Sequence, residues 1–458
     1  MNKNLSIGLR IPVFILGFLL CSSYAFPEGD APGSQAFLSL DETIRIAFKN
    51  NKDIQVQEQE ILAAKAGILG ARSEFLPKVD INAGYSHAGT VLKMAPQPGA
   101  KKDPGIFTGF ENSNSLGLEL NQNLYNGGAN TAGLHQAQLK LQIQETSLRA
   151  RKLDTEFEAK RLYYGLLLAY ETERIARDLL GQAKSHYEEV RQKFDNGTAS
   201  RFDVLQSKVQ VSKLAPELIR AQNAVSLIGA ELKKLLGVKM QENISLKEKL
   251  SYNPILVQEN EFLKTAYLDN PEVTLLALGV DAGKWSITRA KAADRPQVNA
   301  GLGYNYISND VGDMFNSRHS NWNSGISVSI PIFDGFSSKA KVDEAKARYA
   351  QAVLQKDDLS DRIAVDIKKA CLDLQKAQSL IDSQKDSVEE AKEALKISEV
   401  SYANGEGTNL DVLDSQVSLS QIEKNLSEGI YDYLMAQAFL DRTRGMNFLK
   451  EDSNEKKN

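Results

Sequence analysis

The chain has 458 residues, 42% hydrophobic and 25% charged, with a formal net charge of −4 and a mean hydropathy of −0.34. That length suggests two or three ordinary domains, and the composition excludes both a polytopic helical membrane protein and a disordered chain. The charge balance carries no basic surplus for nucleic acid. The 12 prolines are clustered, with none from Ile332 to Asn458. A long proline-free stretch suits long helices, because an interior proline removes a hydrogen bond and clashes with the preceding turn.

Residues 1–25 read as a signal peptide. Lys3 and Arg10 are its basic region, Ile11 to Leu20 its apolar region, and Ser23-Tyr24-Ala25 a small-x-small cleavage site. Cys21 follows Phe18-Leu19-Leu20, which lacks the small residue expected before a lipid-modified cysteine. The mature chain would then hold only Cys371, set among helical apolar positions, so no intramolecular disulfide forms.

Next comes repeat 1, residues 26–237. Ser39-x-x-Glu42 is a capping box that opens a helix expected to run from Asp41 to about Phe75, stopped by Pro77. Two strands follow at about 78–87 and 115–125, where Val79, Ile81, Ala83, Tyr85 and then Leu116, Leu118, Leu120 alternate with polar or small residues. A long helix from about 128 to 195 and a return helix from about 200 to 236 complete the unit. At 1.5 Å per residue the long helix spans roughly 100 Å. The two shorter helices, stacked end to end, match its length. Pro216 lies inside the return helix and is expected to kink it.

A connector at 238–260, expected at mid-height, leads to repeat 2, residues 261–445. It has a helix, strands at about 297–307 and 324–333, a long helix at about 336–403 and a return helix at about 408–444, followed by a tail at 446–458. The duplication is explicit. Asn196-Gly197 and Phe202-Asp203-Val204-Leu205 recur 208 positions later as Asn404-Gly405 and Leu410-Asp411-Val412-Leu413. Upstream, Asn51, Pro77 and Gly84-Tyr85 recur 219 positions later as Asn270, Pro296 and Gly303-Tyr304. The change of offset places an 11-residue insertion between Tyr85 and Tyr125, in a stretch rich in Pro, Gly and Lys. In the second long helix Leu359, Ile363, Ile367, Ala370, Leu374, Ala377, Ile381, Val388, Ala391 and Leu395 form a coiled-coil-like stripe.

Four strands cannot close a barrel, and an open sheet with an apolar outer face would aggregate. Amphipathic strands of about 9–11 residues fit a membrane barrel closed by several copies of the chain. Tyr85, Tyr304, Tyr306 and Trp322 fit an interfacial aromatic girdle, and ordinary sheet packing suits the tyrosines nearly as well.

The duplicated layout, the proline-started strands, the glycine-marked strand-to-helix junctions and the two Asn-Gly…Asp-Val-Leu hairpins resemble the outer-membrane efflux proteins, the TolC-like channels of Gram-negative bacteria. The resemblance spans essentially the whole mature chain. It implies a mainly helical chain with membrane β: a homotrimer whose 12-stranded outer-membrane β-barrel continues into a long periplasmic α-helical barrel. It implies an exit duct of a tripartite efflux pump or type I secretion system, working with a periplasmic adaptor and an inner-membrane transporter and surrounded by outer-membrane lipid. It also implies a periplasmic gate. Asp411 and Asp414 match the family's carboxylate rings, and Asp203 with Tyr402 matches a contact between hairpins. The second copy's Asp414 is Gln206 in the first, and an Arg expected near Gly407 is missing, which leaves a second latch in doubt. An adaptor would dock at the tips formed by Asn196, Gly197, Asn404, Gly405 and Gly407.

Helix capping is the plainer reading of Asp203 and Asp411, and turn geometry that of the tip glycines. No catalytic constellation, phosphate loop or cofactor motif is visible. His87, His135, His186 and His319 are scattered without metal-ligand spacing and read as ordinary surface residues. The rival readings are a structural coiled-coil protein and a periplasmic adaptor of the envelope. Two amphipathic strand pairs and the paired hairpins argue against both.

Overall fold

The computed structural model describes residues 36–87, 92–93, 107–108, 112–308, 310, 312 and 320–446. The predicted signal peptide, most of the 11-residue insertion, His319 and most of the tail lie outside them. In chain order the elements are β1 (Ala36–Leu38), α1 (Leu40–Asn50), α2 (Lys52–Ser73), β2 (Lys78–His87), β3 (Leu92–Lys93), β4 (Phe107–Thr108), β5 (Asn112–Asn126), α3 (Ala129–Asp195), α4 (Arg201–Leu236) and β6 (Ile244–Leu246). There follow α5 (Glu259–Asp269), α6 (Pro271–Lys291), β7 (Gln297–Ser308), β8 (Ser320–Ser329), α7 (Ser337–Asn404) and α8 (Asn409–Arg444).

The helix expected over 41–75 is in fact two. Asn51 leaves the helical region at φ −63°, ψ 125°, and its Oδ1 accepts from the N–H groups of Asp53 and Ile54, so it caps a new helix. Asn270 does the same between α5 and α6, with Pro271 at the first helical position, where its missing N–H costs nothing. The cap outcompetes continuation because the Asn carboxamide satisfies N–H groups that a helix start leaves free.

These breaks are where the return helices end. Gly237 closes α4 against Asn50, whose Nδ2 donates to the Leu236 carbonyl at 2.8 Å. Gly445 closes α8 against Asp269, and the Asn270 amide donates to the Thr443 carbonyl at 2.9 Å. The main apolar cores lie at this level. One joins Ile44 and Ala47 to Leu162, Leu166, Leu232 and Leu236. The other joins Phe262 and Ala266 to Ile363, Ile367, Leu374, Tyr433 and Leu440. All ten members of the predicted α7 stripe are buried. Cys371 is a buried free thiol beside them, pushed up by burial. The connector, which carried no strand signal, contributes β6, paired in parallel with β1. Pro216 stands inside α4, which runs on past it without a break.

The main sheet is antiparallel in the order β2-β5-β7-β8, so the repeats meet at β5–β7. Its register separates two faces. Rows such as Ile81–Leu118–Tyr304–Trp322 are apolar, and rows such as Asn82–Gly117–Asn305–Asn321 are polar. Both outer strands have a free edge, and the apolar face is open: Ile81 is 74% exposed, Trp322 68% and Ile326 70%. Among the described residues no helix is long and apolar enough to cross a membrane.

The mid-height closure yields a test. Gly445 has φ +72°, and a Cβ there would lie 2.4 Å from the Asp269 carbonyl oxygen, whereas Gly197 has φ +76° with open space around it. A left-handed residue bearing a Cβ costs about 1–2 kcal/mol. Gly197→Ala should lose about that much. Gly445→Ala should lose clearly more, read as a larger fall in denaturation midpoint in detergent.

Candidate functional site

The two helical hairpins α3–α4 and α7–α8 end in tips built by the same local chemistry. In the first, Asn196 ends α3, Gly197 turns the chain, and the Thr198 N–H donates to the Lys193 carbonyl at 2.8 Å. In the second, Gly405 takes φ +80° after Asn404, and the Glu406 and Gly407 N–H groups both donate to the Ser401 carbonyl. A Cβ on Gly407 would come within 3.1 Å of Ser401 and Tyr402, while Gly197 and Gly405 face open space.

Capping then starts the return helices, with a correction to the sequence reading. The N-caps are Ser200 and Thr408, and Asp203 and Asp411 are their reciprocal partners three residues on. The Thr408 N–H and hydroxyl donate to Asp411 Oδ2 at 2.8 and 2.7 Å. The Ser200 N–H and hydroxyl donate to Asp203 Oδ2 at 3.1 and 2.6 Å. The Thr408 bonds hold the Asp411 carboxyl below the usual carboxylate range, so one exposed group both caps the helix and carries charge. Asp414, one turn further, is also exposed. It opens onto a groove between α4 and α8 with Gln206, Val209, Lys213 and Leu413. The two carboxylates share a helix face, as their spacing requires.

Tyr402 lies where the Asp203 charge reaches its phenol across the hairpins. It is buried against Val190 and Val412 and makes no hydrogen bond to Asp203 within the chain. Burial pushes its phenol up, and the Asp203 and Glu189 charges add to that. What grips it is Lys193, whose Nζ lies 4.0 Å over the ring and donates to the Tyr402 carbonyl at 2.7 Å.

A further set of polar residues joins the hairpins at the tips. His186, read as a surface residue, is only 5% exposed, with Nε2 2.7 Å from Asn409 Oδ1. The Ser207 hydroxyl donates to the same oxygen at 2.9 Å, and Asn409 Nδ2 donates to Gln206 Oε1 at 3.1 Å. Asn409 thus ties α8 to both helices of the other hairpin, and this occupies Gln206, the counterpart of Asp414. The one available signal was a polar Asn409 on the same helix face as Val412 and Gln416. The other described histidines are not a cluster: His135 stacks on Trp285 at 4.0 Å, and His87 lies beside Asn112. Among the described residues no group of three His, Cys, Asp or Glu is placed to hold a metal ion.

Comparison with known proteins fits this geometry. A family profile described as "Outer membrane efflux protein" matches residues 43–238 and 262–445. The outer membrane protein TolC of Vibrio cholerae is 21% identical over 402 residues, covering 87% of this chain and 88% of that protein. The alkaline protease secretion protein AprF of Pseudomonas aeruginosa is 22% identical over 410 residues, covering 88% and 83%. Among solved structures, the Campylobacter jejuni CmeC outer membrane channel superposes with a TM-score of 0.78 at 19% identity, covering 89% of this chain and 85% of that one. The profile takes in most of the chain in two matching segments, one per repeat, and the chain therefore belongs to the outer membrane efflux protein family.

Proposed function

We propose that the chain is the outer-membrane exit duct of a tripartite efflux pump or type I secretion system. Three copies close a 12-stranded barrel and a helical tunnel beneath it. The observation that carries this is the four-stranded sheet, with two free edges and an open apolar face, mounted on helices of 67 and 68 residues. Unpaired edges in lipid leave backbone groups without partners, so such a sheet is stable there only when closed. The polar rows then face a lumen that continues down the helices. Transport through it is passive. A periplasmic adaptor and an inner-membrane transporter supply recognition and energy. The names of two relatives describe protease secretion and that of a third efflux, which supports both kinds of assembly as hosts. Fractionation to the outer membrane followed by single-channel recording of the purified protein tests the reading; a soluble periplasmic protein without channel activity would overturn it.

The tips supply the gate and the docking surface. In a trimer, Asp411 and Asp414 become stacked rings of like charge that attract cations. Asp411→Ala together with Asp414→Ala should raise conductance or weaken block by multivalent cations in a planar bilayer; unchanged block would sink the gate. The turn at Gly405 has open space around it, as a surface that receives an adaptor's helical hairpin requires. Gly405→Arg should abolish export while trimers still form on native gels, and normal export would count against docking there.

A further inference from the structure

The polar face of the sheet carries glycines that its backbone does not need. Gly117, Gly301 and Gly303 all sit within strands, and none has a positive φ. Glycine inside a strand weakens it, so its presence there calls for a close approach by something else. The register shows what approaches. Gly117 pairs directly with Asn305, and Gly303 with Asn323. A Cβ on Gly117 would lie 2.3 Å from Asn305 Oδ1, and one on Gly303 would lie 2.5 Å from Asn323 Oδ1. Both asparagine side chains therefore lie flat across the sheet, on the neighbouring strand's backbone. Gly117 and Gly303 are buried beneath them, although most of the face around them is exposed. The Asn305 amide also reaches Asn323 Oδ1 at 3.4 Å, which joins the two carboxamides into one layer.

We propose that Gly117 and Gly303 set the bore of the exit barrel, an inference that rests on the duct reading above. They are the floor onto which Asn305 and Asn323 fold. With the floor open, the side chains of this zone lie along the wall, and the lumen gains the space they would otherwise fill. The layer still offers hydrogen-bonding amides; the row Asn82–Gly117–Asn305–Asn321 carries no charge, and the adjoining row Asp80–Glu119–Gly303–Asn323 carries two carboxylates. A passing solute thus meets a hydrating amide surface that lies flat over β7 and β8, with the Asp80 and Glu119 carboxylates beside it on β2 and β5. Any side chain at position 117 or 303 would force the facing asparagine to stand up into the lumen.

The test uses the full-length channel in intact cells, with Cys371 replaced by Ala and Ser327→Cys as a reporter. Ser327 is exposed on the polar face of β8, nearer the helices than Asn323, so a reagent entering from outside must pass the asparagine layer to reach it. The periplasmic tip does not enter this measurement. The probes are maleimide-linked polyethylene glycols of graded size, added outside. Gly117→Ala and Gly303→Ala should lose labelling by the largest polymer that reaches the parent, with labelling by a small maleimide unchanged. Adding Asn305→Ala to Gly117→Ala should restore it. Unchanged access of the large polymer in the glycine variants, or a loss that Asn305→Ala does not restore, overturns the proposal. Should Gly117→Ala fail to assemble, recovery of trimers by Asn305→Ala supports the floor, and continued failure assigns the glycine to backbone shape and overturns it. Absence of labelling of the parent by even the small reagent would overturn the duct reading itself, and the bore assignment with it.

Discussion

A helix about 100 Å long has to be covered along its whole height, and that requirement organises the rest of the chain. No single return helix does it: α4 has 36 residues beside the 67 of α3. The shortfall is filled by α2, which enters from mid-height and runs to the strands. The join is made by Asn50 and Gly237 in one repeat and by Asp269, Asn270 and Gly445 in the other. A third helix, α1 or α5, packs at the same level, which is why the largest apolar cores lie there. Each of these cores stays within its own repeat; toward the tips Val190, Tyr402 and Val412 form an apolar cluster that joins the two hairpins.

At mid-height non-directional apolar contact holds each repeat together, and the Arg442–Asp154 and Lys160–Asp441 ion pairs bridge the two repeats. The seam between the tips combines its apolar cluster with directional bonds that involve His186, Ser207, Gln206 and Lys193. The same tips reuse capping for charge: the carboxylate that satisfies the Thr408 N–H is the one proposed to ring the entrance. At the opposite end the sheet has a different problem, since both of its outer strands have a free edge.

Much of this was readable from local patterns. The α7 stripe, the strand alternation and the capping box at Ser39 each follow from a spacing within one segment, and the side chains fall where the spacing puts them. The Glu42 carboxyl of that box is held down at about 2, chiefly by the Ser39 N–H and then by Lys247 and the Ser39 hydroxyl. The Asn51 and Asn270 breaks were visible as a matched pair but not as breaks, because an apolar pattern continues across them. The burial of His186 and Tyr402 was not readable, since it depends on contact between hairpins some 200 residues apart in the chain.

By itself the sequence determined the duplication, the alternation of strand and long helix, and the glycine turns at both tips. These are set by nearest neighbours and by the periods of 2 and 3.6 residues that each backbone form imposes. Only the tertiary structure decided which residues clasp the hairpins, which asparagines lie on which glycines, and where the return helices end. Each of those depends on register between segments distant in sequence, and register is fixed by packing that no single segment contains.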